Sequence, residues 1–353
     1  MYSSTFPNCK SLNHFIMKDY FFIGIDVSKK NLDCCLLRNG TVIKQDVISN
    51  HPKSIESYLS VICVEQNIDA EQIVICAEYT GLYIYPLATF CQAGNYKLWL
   101  EDPTQIKYSS GLQRGKNDPV DAKRIALYAY RYVDKLKIYN HPTLSVESMK
   151  LLTTELNMLS VDRAKYQAQL SDQKEYMPDN VYKLKSKRLS VLIKELDKAI
   201  ANIETEIENI VAKDALLSHQ MKLLMSIEGI GKKTSLKMIL ETQAFTRFTD
   251  SRKFCCHAGV APFSYSSGSS QHSKNRVSQR ANKSIKSLLH LAALSAIQNK
   301  NSGLRVYYDR KVAEGKNKMS VLNAIRAKLI ARMFAVIKSN QPYESNYTNQ
   351  FSV

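Results

Sequence analysis

The octet YFFIGIDV at residues 20–27 is an apolar run, rich in aromatic and β-branched residues, with an aspartate, Asp26, next to its end. Such a run, bounded by turn formers, reads as a strand buried on both faces. The polar SKKN at 28–31 ends it, and LDCCLLRNGTVIKQDVI at 32–48 supplies two more strands joined through Arg38-Asn39-Gly40, an Asn-Gly hairpin signal. The reading is a three-strand meander. Asp26 ends its first strand, and Asp33 and Asp46 fall on what reads as an exposed hairpin.

Further along, a helical pattern covers 52–66, EQIVICAE at 71–78 is a strand ending in Glu78, and a helix runs through Tyr83, Leu87 and Phe90. YKLWLE at 96–101 is another strand. After a polar loop, Pro119 opens a helix carrying Ile125, Leu127 and Tyr128, with Asp118 read as its N-cap. The order β-β-β-α-β-α-β-α is that of a ribonuclease-H-like domain, with acids at the ends of the first and fourth strands and on a late helix. From residue 145 to 214 the pattern changes to long amphipathic helices. Leu152, Leu156, Leu159, Tyr166 and Leu170 form one heptad seam, and Leu189, Leu192, Leu196, Ile200, Ile203, Ile207 and Ile210 a second, with a break at 177–180. This predicts an antiparallel helical hairpin that packs on itself or on another protomer, with assembly favoured.

The fold class is therefore α/β plus all-α. A mixed-sheet catalytic domain spans 19–144, a coiled-coil helical hairpin 145–214, and a mostly helical domain 215–340, between a flexible N-terminus at 1–18 and a tail at 341–353. Met17 is an alternative start. The third domain opens with LLMSIEGIGKKTSLKMILE, a helix, Gly229-Ile230-Gly231 and a second helix, which has the form of a helix-hairpin-helix element offering N-terminal amides to a phosphate. A tight turn between helices would give the same pattern. Later helices are expected near 252–257, 282–298 and 317–337, and the first two flank a serine-rich polar stretch, APFSYSSGSSQHSKNRVSQRAN.

Charge narrows the partner. The chain has 353 residues, 49 Lys plus Arg against 32 Asp plus Glu, and a net charge of +17. From residue 251 to 308 there is no acid at all, while Arg252, Lys253, Lys274, Arg276, Arg280, Lys283, Lys286, Lys300 and Arg305 all fall there. An ordinary solvated surface mixes signs, so this stretch points to a polyanion. Lys232, Lys233, Lys274, Arg276, Arg280 and Lys283 are the candidate nucleic-acid contacts. The eight cysteines include two adjacent pairs and no C-x-x-C, which fits neither zinc spacing nor a disulfide framework and suggests reducing cytoplasm. The sequence has no apolar stretch long enough to cross a bilayer and no signal-peptide core near its start, so no membrane partner is expected.

A basic protein that gathers carboxylates suggests a hard divalent cation held against phosphate. Asp26, Glu78, Asp118 and Asp121 are the candidate ligands for Mg²⁺, the last two spaced i, i+3 so that they share one side of a helix. Each taken singly is also explained as a strand-end acid or a cap. The serines crowded around Gly268 raise a second chemistry, because a serine hydroxyl can attack phosphorus if its proton is removed and the phosphate charge is neutralised, here by Lys274 and Arg276. By composition alone, the same stretch reads as a polar loop.

GIDVSKKNLD, EYTGLY, KNDPVDAKRIA, SIEGIG, FCCHAGVAP and SSG, in that order, resemble the DEDD transposases of bacterial insertion sequences, the family that includes the Piv/MooV invertases and bridge-RNA-guided recombinases. The resemblance implies a RuvC-like domain with Mg²⁺ (two ions, replaceable by Mn²⁺) on Asp26, Glu78, Asp118 and Asp121, a coiled coil for assembly into a dimer or tetramer, and a nucleophilic serine in the C-terminal domain. That serine is carried to Ser267, directly before Gly268, with Ser266 as the register alternative. It further implies donor and target DNA as substrates, a structured guide RNA, a composite site built from two protomers, and a bacterial cytoplasmic setting at the nucleoid. The chain departs from the commoner pattern at Ala281-Asn282, where a glycine is often seen. Competing readings are a metal-dependent nuclease or junction resolvase with water as nucleophile, a sugar-kinase-like phosphotransferase, since GIDVS also begins that fold, and a non-catalytic nucleic-acid scaffold.

Overall fold

The structure, a computed structural model, describes residues 20–109, 111, 117–262, 266–267, 271–272, 277 and 281–344. The N-terminus at 1–18 with Met17, the end of the tail, and Lys274, Arg276 and Arg280 lie outside the described residues. The chain divides into two compact units, Met1–His141 and Pro142–Val353.

In chain order, the first unit contains strands β1 (Phe21–Val27), β2 (Asn31–Arg38) and β3 (Thr41–Ser49), helix α1 (Pro52–Gln66), strand β4 (Ile73–Glu78), helix α2 (Tyr85–Ala93), strand β5 (Lys97–Glu101), and helices α3 (Pro103–Ser109) and α4 (Asp118–Arg131). The five strands form one sheet in the order β3-β2-β1-β4-β5. The meander is antiparallel, whereas β1 pairs parallel with β4 and β4 with β5. The expected element order is found, with α3 added. Alternate residues serve opposite faces. Ile23, Ile25, Leu32, Ile75 and Leu98 pack with Ile55, Leu59 and Leu87 of α1 and α2. Phe22, Cys35, Val74, Cys76 and Trp99 pack with Ala122, Ile125, Ala126 and Ala129 of α4. Covering both faces is why the central strands read as unbroken apolar runs.

Gly24 lets α4 come down onto β1, since a Cβ there would lie 2.2 Å from the Ala126 nitrogen and 2.3 Å from the Ala122 oxygen. Two expectations are corrected in this unit. Asn117, not Asp118, caps α4, its side chain accepting from the Val120 amide at 3.0 Å, so Asp118 is the first helical residue. Asp33 is not on an exposed hairpin but is only 8% exposed, because β2 is an interior strand and α4 covers it.

The second unit is helical. Helices α5 (Leu144–Asp172) and α6 (Asp179–Lys213) form the expected hairpin, broken between 172 and 179. They are followed by α7 (Ala215–Met225), α8 (Lys232–Thr242), α9 (Ser251–His257), α10 (Lys283–Ala296), α11 (Gly303–Ala313) and α12 (Lys318–Ser339). The base of the hairpin, through Val146, Met149, Ile203 and Ile207, shares a core with Leu224, Met238, Phe254, Leu289 and Leu329. Farther out the heptad seam is less covered, with Leu192 48% exposed. Helix α11 was not anticipated; Leu304 is its one buried residue, so no apolar periodicity announces it. Between α9 and α10, where a polar loop was read, the described backbone includes a short antiparallel pair, β6 (Ser266–Ser267) with β7 (Gln271–His272).

Candidate active site

The sheet sets four carboxylates in one row. Asp26 stands opposite Asp33 in the β1–β2 pair. Ile25 is level with Ala77 in the parallel β1–β4 pair, so Asp26 and Glu78 hold the next positions on neighbouring strands, and Glu78 is level with Glu101 on β5. All four share the parity of Phe22, Val74, Cys76 and Trp99, which places them on the α4 face. Adjacent strands lie about 4.8 Å apart, so this row concentrates negative charge at one edge of the sheet. Asp26 and Glu78 are half-buried.

Helix α4 brings the remaining acids. Its first turn carries Asp118, exposed, and Asp121, half-buried, and is held to the sheet by the Gln45 side-chain amide, which donates to the Pro119 carbonyl at 3.0 Å. Asp118 approaches Asp33: burial, and then the negative charge of Asp118, push the Asp33 carboxyl above its ordinary value. Asp121 is ion-paired to Arg124. Glu101 is anchored, its Oε2 accepting from Trp99 Nε1 at 3.2 Å and from the Tyr128 hydroxyl at 3.0 Å. Sequence reasoning missed Asp33 and Glu101. The signal was available in the strand alternation, which gives both the same facing as their partners once the register is known.

Asp26 and Glu78 thus lie on the face of the sheet that α4 covers, and Asp118 and Asp121 stand in the first turn of that helix. Among the described residues, however, no three His, Cys, Asp or Glu side chains are grouped so as to hold a metal ion. The donor chemistry nonetheless fits a hard divalent cation: the set is all carboxylate oxygen, and one member, Asp118, lies near enough to Asp33 to add to burial in raising that carboxyl.

In the second unit, Ser267 pairs with Gln271 and Ser266 with His272 in the small hairpin. Around Gly229-Ile230-Gly231 the chain makes the expected helix–turn–helix, with Ile227 and Ile230 buried and Gly231 at the N-cap of α8. Lys232 and Lys233 are exposed but engaged with the hairpin, Lys232 with Glu208 at 2.9 Å and Lys233 with Glu204 at 3.9 Å. Lys283 is exposed at the first turn of α10.

Two family models fit this layout. A DEDD transposase model of the IS110 group matches residues 23–177, and a transposase model described for the IS116/IS110/IS902 family matches residues 221–309. The chain belongs to the IS110 family of DEDD transposases. Its enzyme class is accordingly that of a DNA transposase or recombinase. Among curated proteins, this transposase is similar to the pilin gene-inverting proteins of Moraxella bovis and Moraxella lacunata, 25% identical over 328 residues in each case, which is 92% of this chain and 97% of each relative. An insertion element IS110 uncharacterized 43.6 kDa protein of Streptomyces coelicolor is 30% identical over 123 residues, 35% of this chain and 30% of that protein. Among solved structures, Thermus thermophilus RuvC in complex with a Holliday junction substrate is 11% identical and has a TM-score of 0.26, covering 33% of this chain and 96% of RuvC. The transposase's first unit has the mixed five-stranded sheet, in the order β3-β2-β1-β4-β5, expected of a ribonuclease-H-like domain, and no described helix is long and apolar enough to cross a membrane.

Proposed function

We propose that this transposase cuts and rejoins DNA through Ser267, with Asp26, Glu78, Asp118 and Asp121 as the residues that would hold divalent metal, Mg²⁺ or in its place Mn²⁺. The observation that carries the reading is the placement of Asp26 and Glu78 at neighbouring ends of parallel strands, on the face that the first turn of α4 adjoins. When bound, the metal supplies Lewis-acid stabilisation of charge on phosphate oxygens. The chain's own part is to gather the carboxylates that bind it and, in the C-terminal unit, to present a hydroxyl. Ser267 Oγ gives up its proton as it forms a bond to phosphorus, the P–O bond to the deoxyribose breaks, and the departing sugar oxygen takes a proton, so that the net proton transfer is from the serine hydroxyl to the released sugar hydroxyl. Lys274, Arg276, Arg280 and Lys283 are assigned to the phosphates, with Lys232 and Lys233 contributing once released from Glu208 and Glu204. Donor and target DNA are the substrates, a structured noncoding RNA is the proposed guide, and the α5–α6 hairpin assembles the protein as a dimer or tetramer in the cytoplasm.

The test replaces Ser267 with Ala in the full chain, co-expressed with the native flanking DNA of the gene, with Ser266→Ala beside it. Covalent protein–DNA adducts trapped with wild type are expected to vanish with Ser267→Ala. Cleavage that persists without adducts in both variants assigns the attack to water and makes the protein a resolvase-like nuclease.

A further inference from the structure

The segment bearing Ser267 leaves the helical core after His257 at the end of α9 and rejoins it at Asn282, the N-cap of α10. One carboxylate holds both points. Glu241, in the last turn of α8, pairs through Oε2 with His257 Nε2 at 3.2 Å. Its Oε1 accepts from Asn282 Nδ2 at 2.8 Å and from Lys237 Nζ at 2.7 Å. The stems also meet directly, since the Asn282 amide donates to the His257 carbonyl at 2.9 Å. Gly259 has φ +63, and a Cβ on it would lie 2.2 Å from the Ala281 Cβ, so only glycine permits both that backbone and that contact. The outgoing stem is fixed from behind, where Asn323 of α12 donates to the Val260 carbonyl at 2.7 Å.

These contacts form a built device. The Glu241 side chain is only 15% exposed, and burial pushes its carboxyl up, yet the hydrogen bonds from His257 and Lys237 outweigh this and bring it down to about 2. It is therefore charged wherever the protein works, and it draws donors from three helices. Asn282 is used at both ends: Nδ2 donates to Glu241 while Oδ1 accepts from the Ser284 and Ile285 amides at 3.1 and 3.3 Å, which starts α10.

We propose that Glu241, acting through His257 and Asn282, is a positioning residue for strand exchange, a clamp that fixes both stems of the segment 258–281 so that the serine hydroxyl is presented in one place. The proposal rests on the reading of Ser267 as nucleophile. Its physical basis is that misplacing a reacting group by about 1 Å costs about 100-fold in rate even when the lesion is remote from the chemistry.

Two variants in the full chain test it. Glu241→Gln removes the charge, and Asn282→Ser drops the bond to Glu241 while keeping a good N-cap for α10. Amide hydrogen exchange over 258–281 is measured with the protein alone. Adduct formation is measured at saturating supercoiled plasmid carrying the native flanks. The clamp predicts faster exchange across 258–281 with protection of α8, α10 and α12 retained, and an adduct rate lowered by about 100-fold at unchanged DNA affinity. Unchanged exchange, or wild-type adduct formation, overturns it. Protection lost across the whole unit also overturns it, because Glu241 then serves general stability. Ser267→Ala and Ser266→Ala are run in parallel: if both still form adducts while the Glu241 variant loosens the segment, the nucleophile reading fails and only a loop anchor remains.

Discussion

Asp33 occupies a position that disfavours its own charge, 8% exposed, paired across strands with Asp26 and close to Asp118. A carboxyl whose folded pKa is raised stabilises the fold while protonated, and that contribution is complete below the ordinary value of 3.8 and is lost as pH rises through the folded value. Asp33→Asn removes the ionisation, so with chelator present the variant should melt higher than wild type at neutral pH, and the gap should close near pH 3.8. A variant that melts lower at neutral pH would contradict the reading that burial and the nearby Asp118 disfavour the Asp33 carboxylate. Glu241 has the opposite sign. Its folded value of about 2 lies below the ordinary 4.5, so its stabilisation is present above 4.5 and lost as pH falls toward 2. The difference in thermal midpoint between wild type and Glu241→Gln should narrow over that window. Asp26→Asn and Glu78→Gln belong to the chemistry instead. Each should lower plasmid cleavage by about 1,000-fold or more with melting temperature and DNA affinity retained, as expected when a metal-holding carboxylate is lost from a phosphoryl-transfer site.

Elements bring those residues together, and the contact of α4 on β1 is the one that matters most. Gly24→Val would drive a branched side chain into the backbone at Ala122 and Ala126, costing about 3 kcal/mol or more. Chemical denaturation should show that loss. Much of this architecture was legible: apolar runs and Asn-Gly gave the meander, further apolar runs gave β4 and β5, and heptads gave α5 and α6. What was not legible depended on register or on tertiary contact. Asp33 looked exposed because its burial comes from α4, more than eighty residues later in the chain. Asp118 looked like a cap because Asn117 beside it is an equally good one, and only the bond to the Val120 amide distinguishes them. The role of Glu241 is invisible in sequence because its partners lie 16 and 41 positions away. In the hairpin, the outer surface keeps Val161 67% and Leu184 62% exposed. If that surface assembles protomers, Val161→Lys with Leu184→Lys should lower the sedimenting mass of the full chain while leaving the thermal midpoint of the unit nearly unchanged.

At the scale of the whole molecule, the charge of +17 decides what the protein meets first, and the structure separates two kinds of cation within it. Lys232 and Lys233 are partnered by Glu208 and Glu204, so binding a phosphate there requires breaking an existing pair. Arg252, Lys253 and Lys283 are exposed, lie in the stretch from 251 to 308 that contains no acid, and make no ion pair among the described residues. Counterion release makes log affinity fall with log salt by about 0.9 for each phosphate neutralised. Replacing Arg252, Lys253 and Lys283 together by Ala should therefore flatten the salt slope for a random-sequence duplex by about 2 to 3. Replacing Lys232 and Lys233 should flatten it by less than the roughly 1.8 that two free contacts would give. Fluorescence anisotropy across a salt series measures both slopes. Equal loss per residue in the two sets would mean that DNA displaces Glu208 and Glu204 at little cost, whereas no loss in the first set would remove the acid-free face from the DNA path.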